Sequence, residues 1–151
     1  MEWPPELVLL YEREYRSLVQ QVYMLLGNRS EAEEIVQDAV LTMCQKWSSV
    51  DHPAAYLRRS VVNGGLGRLR RREAAARRRP DPPPAGEPAH LVELHDVLLR
   101  LPERQRAAIV LRYVADLADD EIAQILTCRR ATVRSLVARG LTSLRLEVAR
   151  D

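Results

Sequence analysis

Five prolines fall within the ten residues Arg79-Pro80-Asp81-Pro82-Pro83-Pro84-Ala85-Gly86-Glu87-Pro88. No helix runs through such a stretch, because each proline removes a backbone donor and its ring clashes with the preceding turn; extended, semi-rigid chain is favoured instead. The 151-residue chain is therefore read as two small units, 5–72 and 90–149, joined by a linker over 73–89. Units this short have thin cores, so the spacing of their apolar residues carries most of the information about fold.

In the first unit Leu7, Leu10, Tyr11, Leu18, Val22, Leu25 and Leu26 recur at three, four and seven, the period of one helix face. Gly27-Asn28 stops that helix, and Ser30 followed by Glu33 reads as a capping box for the next. Its apolar set runs from Ala32 through Ile35, Val36, Ala39, Val40 and Met43 to Trp47, which puts Glu33, Glu34, Gln37, Asp38 and Leu41 on or beside the outer face. A third helix starts at Pro53, a favourable first-turn position, and runs into Arg68-Leu69-Arg70-Arg71-Arg72. The second unit reads as four helices: Leu91 to Arg100, Pro102 to Tyr113, Asp119 to Leu126, and a long one from about Arg130 to Ala149. No stretch alternates apolar and polar residues long enough to argue a strand, so the expected class is all-α, two small helical domains.

A net charge of +2 hides a pattern. Residues 1–57 carry nine acids and four bases, and 58–79 nine arginines and one acid; 80–127 again carry nine acids and four bases, and 128–151 six arginines and two acids. Twice, then, an acidic segment precedes a basic one. A chain that meets a polyanion at two places and another protein with its acidic faces has this distribution.

Catalytic chemistry finds no foothold. Cys44 and Cys128 stand alone, and the three histidines His52, His90 and His95 form no cluster at ligand spacing, so no disulfide, metal site or cofactor is expected. His95-Asp96 has no nucleophile elbow to serve, and no glycine-rich phosphate loop follows a strand. The apolar runs are far shorter than a membrane span, and Met1-Glu2-Trp3-Pro4-Pro5 does not open a signal peptide; a cytoplasmic protein that is not an enzyme is the expectation.

A short helix at 119–126, the turn Thr127-Cys128-Arg129 and a basic helix after it make a helix-turn-helix, whose second helix can enter a DNA major groove. An ordinary helical hairpin with charged ends has the same pattern and stays open at this level.

The residues also resemble a known family. Ser30-Glu31-Ala32-Glu33-Glu34-Ile35-Val36-Gln37-Asp38-Ala39-Val40 and Pro53-Ala54-Ala55-Tyr56-Leu57-Arg58-Arg59-Ser60-Val61-Val62-Asn63 look like region 2 of bacterial extracytoplasmic-function (ECF) sigma factors. Leu101-Pro102-Glu103-Arg104-Gln105-Arg106, Glu121-Ile122-Ala123 and Thr132-Val133-Arg134-Ser135 look like their region 4, in the right order and with the linker in the right place. The resemblance implies a promoter-specificity subunit of RNA polymerase that takes part in promoter recognition, DNA melting and transcription initiation. Together with 22 arginines against one lysine, Lys46, it implies an actinobacterial source.

By the same resemblance, Glu33, Glu34, Gln37, Asp38 and Leu41 would face the clamp helices of the polymerase's largest subunit. The loop Ser48 to His52 and the third helix would hold the minus 10 element. Arg58, Arg59, Asn63 and Arg68 are the expected strand contacts there, and Arg70, Arg71 and Arg72 the phosphate anchors. Arg129, Arg130, Thr132, Arg134, Ser135 and Arg139 would meet the minus 35 element, with Arg130 or Arg134 the base reader. The partners implied are core RNA polymerase, promoter DNA and an anti-sigma factor.

The chain departs from the family pattern where Thr127 and Arg129 replace the Gly and Ser of the turn, where Ala131 replaces Gly, and where Ala118 replaces the usual cap. A positive φ at Thr127 would cost on the order of 1 to 3 kcal/mol, and Gly64, Gly65 and Gly67 inside the third helix roughly 0.5 to 1 kcal/mol each. Two other readings therefore stand beside the first: a helix-turn-helix regulator that works without polymerase, and a degenerate sigma-like interaction protein.

Overall fold

The structure, a computed structural model, describes residues 2–74 and 89–150, with the side chains of 72–74, 89–93 and 150 outside that description. The proline run, and with it most of the expected linker, lies outside the described residues. The chain divides into two units, Met1–Asp81 and Pro82–Asp151, and every regular element among the described residues is helical.

The first unit is three helices, α1 (Pro5–Leu26), α2 (Arg29–Gln45) and α3 (Pro53–Ala74), each packed on the other two. Their shared core holds Leu18, Val22 and Leu25 from α1, Val36 and Met43 from α2, and Leu57 and Val61 from α3, all buried. Each such side chain contributes roughly 1.5 to 3 kcal/mol of burial. Gly27, at φ 72°, ends α1 in the left-handed conformation and donates its N–H to the Tyr23 carbonyl at 2.7 Å. The residue that starts α2 is Asn28, not Ser30: the Asn28 side-chain oxygen accepts from the Glu31 N–H at 2.9 Å. Ser30 already lies inside the helix, and Glu33 pairs with Arg29 at 3.3 Å instead of closing a capping box. A 3₁₀ turn, Trp47–Ser49, leads from α2 towards α3.

Two of the glycines in α3 mark close approach. A Cβ on Gly64 would stand 2.9 Å from Ile35 Cγ2 of α2, and one on Gly65 3.4 Å from Leu25 Cδ1 of α1. Their helical cost is therefore offset by the packing they permit. Only Gly67 has open surroundings, its nearest neighbour being an Arg71 terminal nitrogen at 3.9 Å.

The second unit holds α4 (Ala89–Leu99), α5 (Glu103–Ile109), α6 (Asp119–Leu126) and α7 (Arg130–Arg150). The helix expected over Pro102 to Tyr113 changes character partway, from α5 to a π-helical turn over Val110–Val114. Val110 and Leu111 are still buried, so the apolar pattern survives the change in hydrogen bonding. Two neighbouring arginines of α5 satisfy the ends of other helices. Arg106 donates to the Leu99 carbonyl of α4 at 3.2 Å, and Arg104 to the Leu126 carbonyl of α6 at 3.3 Å. The long α7 lies against α5 through Gly140, where a Cβ would be 2.9 Å from Ile109 Cγ1. Cys44 is buried as a small apolar residue would be, whereas Cys128, in the turn, is only partly covered.

Candidate functional site

On α2 the apolar positions 32, 35, 36, 40 and 43 are buried, and Glu34, Gln37, Asp38 and Leu41 are exposed. The spacing 34, 37, 38, 41 keeps these four on one face over two turns. Leu41 is 48% exposed, a large apolar side chain set beside two acids and an amide. Glu33 lies at the edge of this face, held by Arg29, and Glu34 pairs with Arg68 of α3 at 3.5 Å. Near the same edge is an aromatic cluster that the sequence reading did not single out. Trp3 meets Tyr11 edge-on at 5.8 Å between centroids, and Tyr11 meets Tyr15 at 4.9 Å. Burial, then the charges of Tyr15 and Glu33, push the Tyr11 phenol above its ordinary range.

The basic side chains of α3 do not form one surface. With about 100° between successive residues, Arg59, Asn63 and Arg70 fall within roughly 40° of one another on the outer face. All three are exposed, as is Arg71. Arg58 shares the stripe of Val62, Gly65 and Leu69, which is the packed side, and its Nε is buried with no hydrogen-bond partner. Arg68 flanks α2, paired with Glu34. The side chain of Arg72 lies outside the described residues. Before α3, the side chains of Ser48, Ser49, Asp51 and His52 are exposed, while Trp47 and Tyr56 are half-buried. The α3 face can therefore run along a phosphate chain, with the 48–52 loop beside its start.

In the second unit α6, the turn and α7 form the expected helix-turn-helix. Thr127 has φ 54° and ψ 55°, left-handed for a β-branched residue. Its N–H reaches the Gln124 carbonyl and that of Cys128 the Ala123 carbonyl at 3.0 Å, the paired closure of a Schellman motif. The turn thus holds a threonine in a geometry that glycine adopts without strain. At the other end of α6, Ala118 has no side chain to cap with, and half a capping box remains: Glu121 reaches back to the Ala118 N–H at 3.4 Å. Asp119 and Asp120 do more there than favour the helix dipole. Asp119 pairs with Arg112 of the π turn, and Asp120 with Arg130 of α7 at 3.1 Å. Both partners lie across a turn from their acids, so sequence spacing gave no sign of them.

On α7, Val133, Val137 and Gly140 face the core. Arg129, Arg130, Thr132, Arg134, Ser135 and Arg139 are all exposed. The middle of the outer face is small: Ala131, Ser135, Ala138 and Thr142, with arginines on both flanks. A helix so shaped can approach a groove floor closely while its flanking guanidiniums reach base edges or phosphates. Among the described residues there is no group of three or more His, Cys, Asp or Glu side chains that could hold a metal ion, and no helix is long and apolar enough to cross a membrane.

Comparison with known proteins agrees with this division. A family described as sigma-70 region 2 matches residues 10–75, and one described as sigma-70 region 4 matches residues 91–144. The RNA polymerase sigma-E factor of Streptomyces coelicolor is 30% identical over 145 residues, covering 89% of this chain and 82% of that protein. The ECF RNA polymerase sigma factor SigM of Mycobacterium tuberculosis is 31% identical over 143 residues, covering 89% of this chain and 73% of that protein. Among solved structures, the sigma factor RpoE of Bartonella quintana, in complex with the anti-sigma factor NepR, aligns at a TM-score of 0.72 and 22% identity over 97% of this chain and 96% of its own. The two helical units, their order and these relatives place the chain in the extracytoplasmic-function group of RNA polymerase sigma factors, the subunits that bind core polymerase and recognise promoters.

Proposed function

We propose a division of labour among the residues. The α2 face of Glu34, Gln37, Asp38 and Leu41, with Glu33 at its edge, docks on the clamp helices of the polymerase's largest subunit. The 48–52 loop and the outer face of α3, through Arg59, Asn63, Arg70 and Arg71, hold the unpaired strand of the minus 10 element. Arg58, on the packed side, and Arg68, paired with Glu34, support that surface, and Arg72 is assigned to phosphate anchoring by its place in the basic run alone. The turn and α7 take the minus 35 element, Arg130 or Arg134 reading bases and Arg129, Thr132, Ser135 and Arg139 setting the register on the backbone. Residues 5–72 and 90–149 are then the working domains, and 73–89 the tether between them.

The protein itself is asked for no covalent chemistry, since nucleotidyl transfer belongs to the polymerase, and it needs no cofactor. It works in the cytoplasm, where core polymerase is, and the arginine-rich composition fits a GC-rich actinobacterial genome. An anti-sigma partner fits as well, because the same fold carries one in the Bartonella complex.

The observation that carries this reading is the α2 face: an exposed leucine among carboxylates on a helix whose other side is fully packed. A plain helix-turn-helix regulator has no use for it, and a degenerate interaction protein has no need of the closed turn at Thr127. The test is Gln37→Ala with Asp38→Arg. Both side chains are exposed, so the double variant folds, and it is expected to lose co-purification with core polymerase. A folded double variant that still binds core polymerase fully would defeat the docking assignment.

A further inference from the structure

The geometry points to Asp120 as a positioning residue for promoter reading: its carboxylate holds the Arg130 guanidinium in the attitude a guanine edge requires, and so sets how sharply the upstream element is discriminated. The inference rests on the reading of α7 as the recognition helix.

Three features carry it. The contact is made to Arg130 Nε, at 3.1 Å from Asp120 Oδ1. A guanidinium held through Nε keeps both terminal nitrogens free, and those two nitrogens form the fork that matches guanine O6 and N7. Next, the pair's share in folding is small. The side chains are 67% and 68% exposed, whereas the neighbouring Arg112–Asp119 pair is half-covered and ties α6 to the π turn. An exposed pair adds little to folding; inside a groove that excludes water it gains strength when DNA is present. Third, among the described residues of the recognition helix this support goes to Arg130 and to no other arginine. Among the described residues Arg129, Arg134 and Arg139 form no ion pair. A free arginine must give up its rotamer freedom on binding, whereas one already braced loses less for each hydrogen bond formed.

The same carboxylate repels phosphates, which gives the device a distinctive signature. Removing its charge should loosen base discrimination and, at the same time, strengthen indiscriminate binding. A residue that merely stabilised the fold would weaken both.

The experiment uses the full chain assembled with core polymerase, as wild type, Asp120→Asn, Arg130→Ala and the double variant. Preferred upstream elements are selected from a duplex randomised at the minus 35 region, and affinity is measured on a scrambled duplex at fixed salt. Asp120→Asn is expected to lower discrimination about three- to tenfold at the one or two base pairs where Arg130→Ala also lowers it. On scrambled DNA it is expected to raise affinity by about twofold. In the Arg130→Ala background, Asp120→Asn should change the selected sequence no further. If Arg130→Ala flattens the preference while Asp120→Asn leaves it intact, or if Asp120→Asn acts equally in both backgrounds, the positioning role is overturned and α7 still reads DNA. If Arg130→Ala itself leaves the preference unchanged, Arg130 is not a base reader and the inference falls with that assignment.

Discussion

Replacing Thr127 by glycine should stabilise the second unit, although it removes a side chain. Thr127 closes α6 at φ 54° and ψ 55°, where Cβ crowds the following carbonyl. Holding a non-glycine residue there costs on the order of 1 to 3 kcal/mol. The side chain is exposed, so its loss forfeits almost no burial. Against the gain stands the greater freedom of glycine in the unfolded chain, about 0.4 to 1 kcal/mol. The balance is a stabilisation of roughly 1 kcal/mol, or about 4 to 8 °C in the melting temperature of a domain this small. The chain offers a convenient way to see it, because both tryptophans, Trp3 and Trp47, lie in the first unit. Far-ultraviolet circular dichroism follows both units, and tryptophan fluorescence follows the first. Thr127→Gly should move the dichroism transition of the second unit upward and leave the fluorescence transition where it is. A glycine variant that melts at or below the wild-type temperature would show that the left-handed turn is not strained, and the reasoning would fail.

Three further outcomes follow from the packing and the charged faces. Gly140→Ala is expected to destabilise the second unit by about 1 kcal/mol, because the new methyl meets Ile109 Cγ1 at 2.9 Å and the Gln105 carbonyl at 3.4 Å; Gly67→Ala, with open surroundings, is expected to stabilise the first by roughly 0.5 to 1 kcal/mol, and denaturant titration gives both signs. Arg59→Ala with Arg70→Ala should reduce permanganate reactivity of promoter thymines severalfold while leaving polymerase binding intact; unchanged reactivity would remove the α3 face from strand binding.

What could be read from the sequence was what local spacing determines. The α6 limits, Asp119 and Leu126, coincide with its expected ends because apolar residues and a turn bound it tightly. The start of α2 was legible only to within two residues. Asn28 and Ser30 are both good caps, and the backbone after the left-handed Gly27 places Asn28, at φ −135° and ψ 113°, in the capping conformation. The π turn at 110–114 leaves the burial pattern intact and so leaves no mark in periodicity. Gly64 and Gly65 looked like weak points in α3, and only the positions of Ile35 and Leu25 show why they fit there. Arg58 belongs by charge to the basic run, and the helix period sets it beside Val62, Gly65 and Leu69 with its Nε buried. The pairs Asp120–Arg130 and Glu34–Arg68 join different helices, and no single-helix pattern contains them.

The most direct test of the central assignment is reconstituted transcription. Core polymerase from a related bacterium is mixed with the full chain and with fragments of the source genome, and run-off products are measured with and without the chain. Discrete transcripts that depend on the wild-type chain, and that disappear with Gln37→Ala plus Asp38→Arg, are predicted. The absence of any chain-dependent transcript, from a folded protein that binds core polymerase, would contradict a promoter-specificity role.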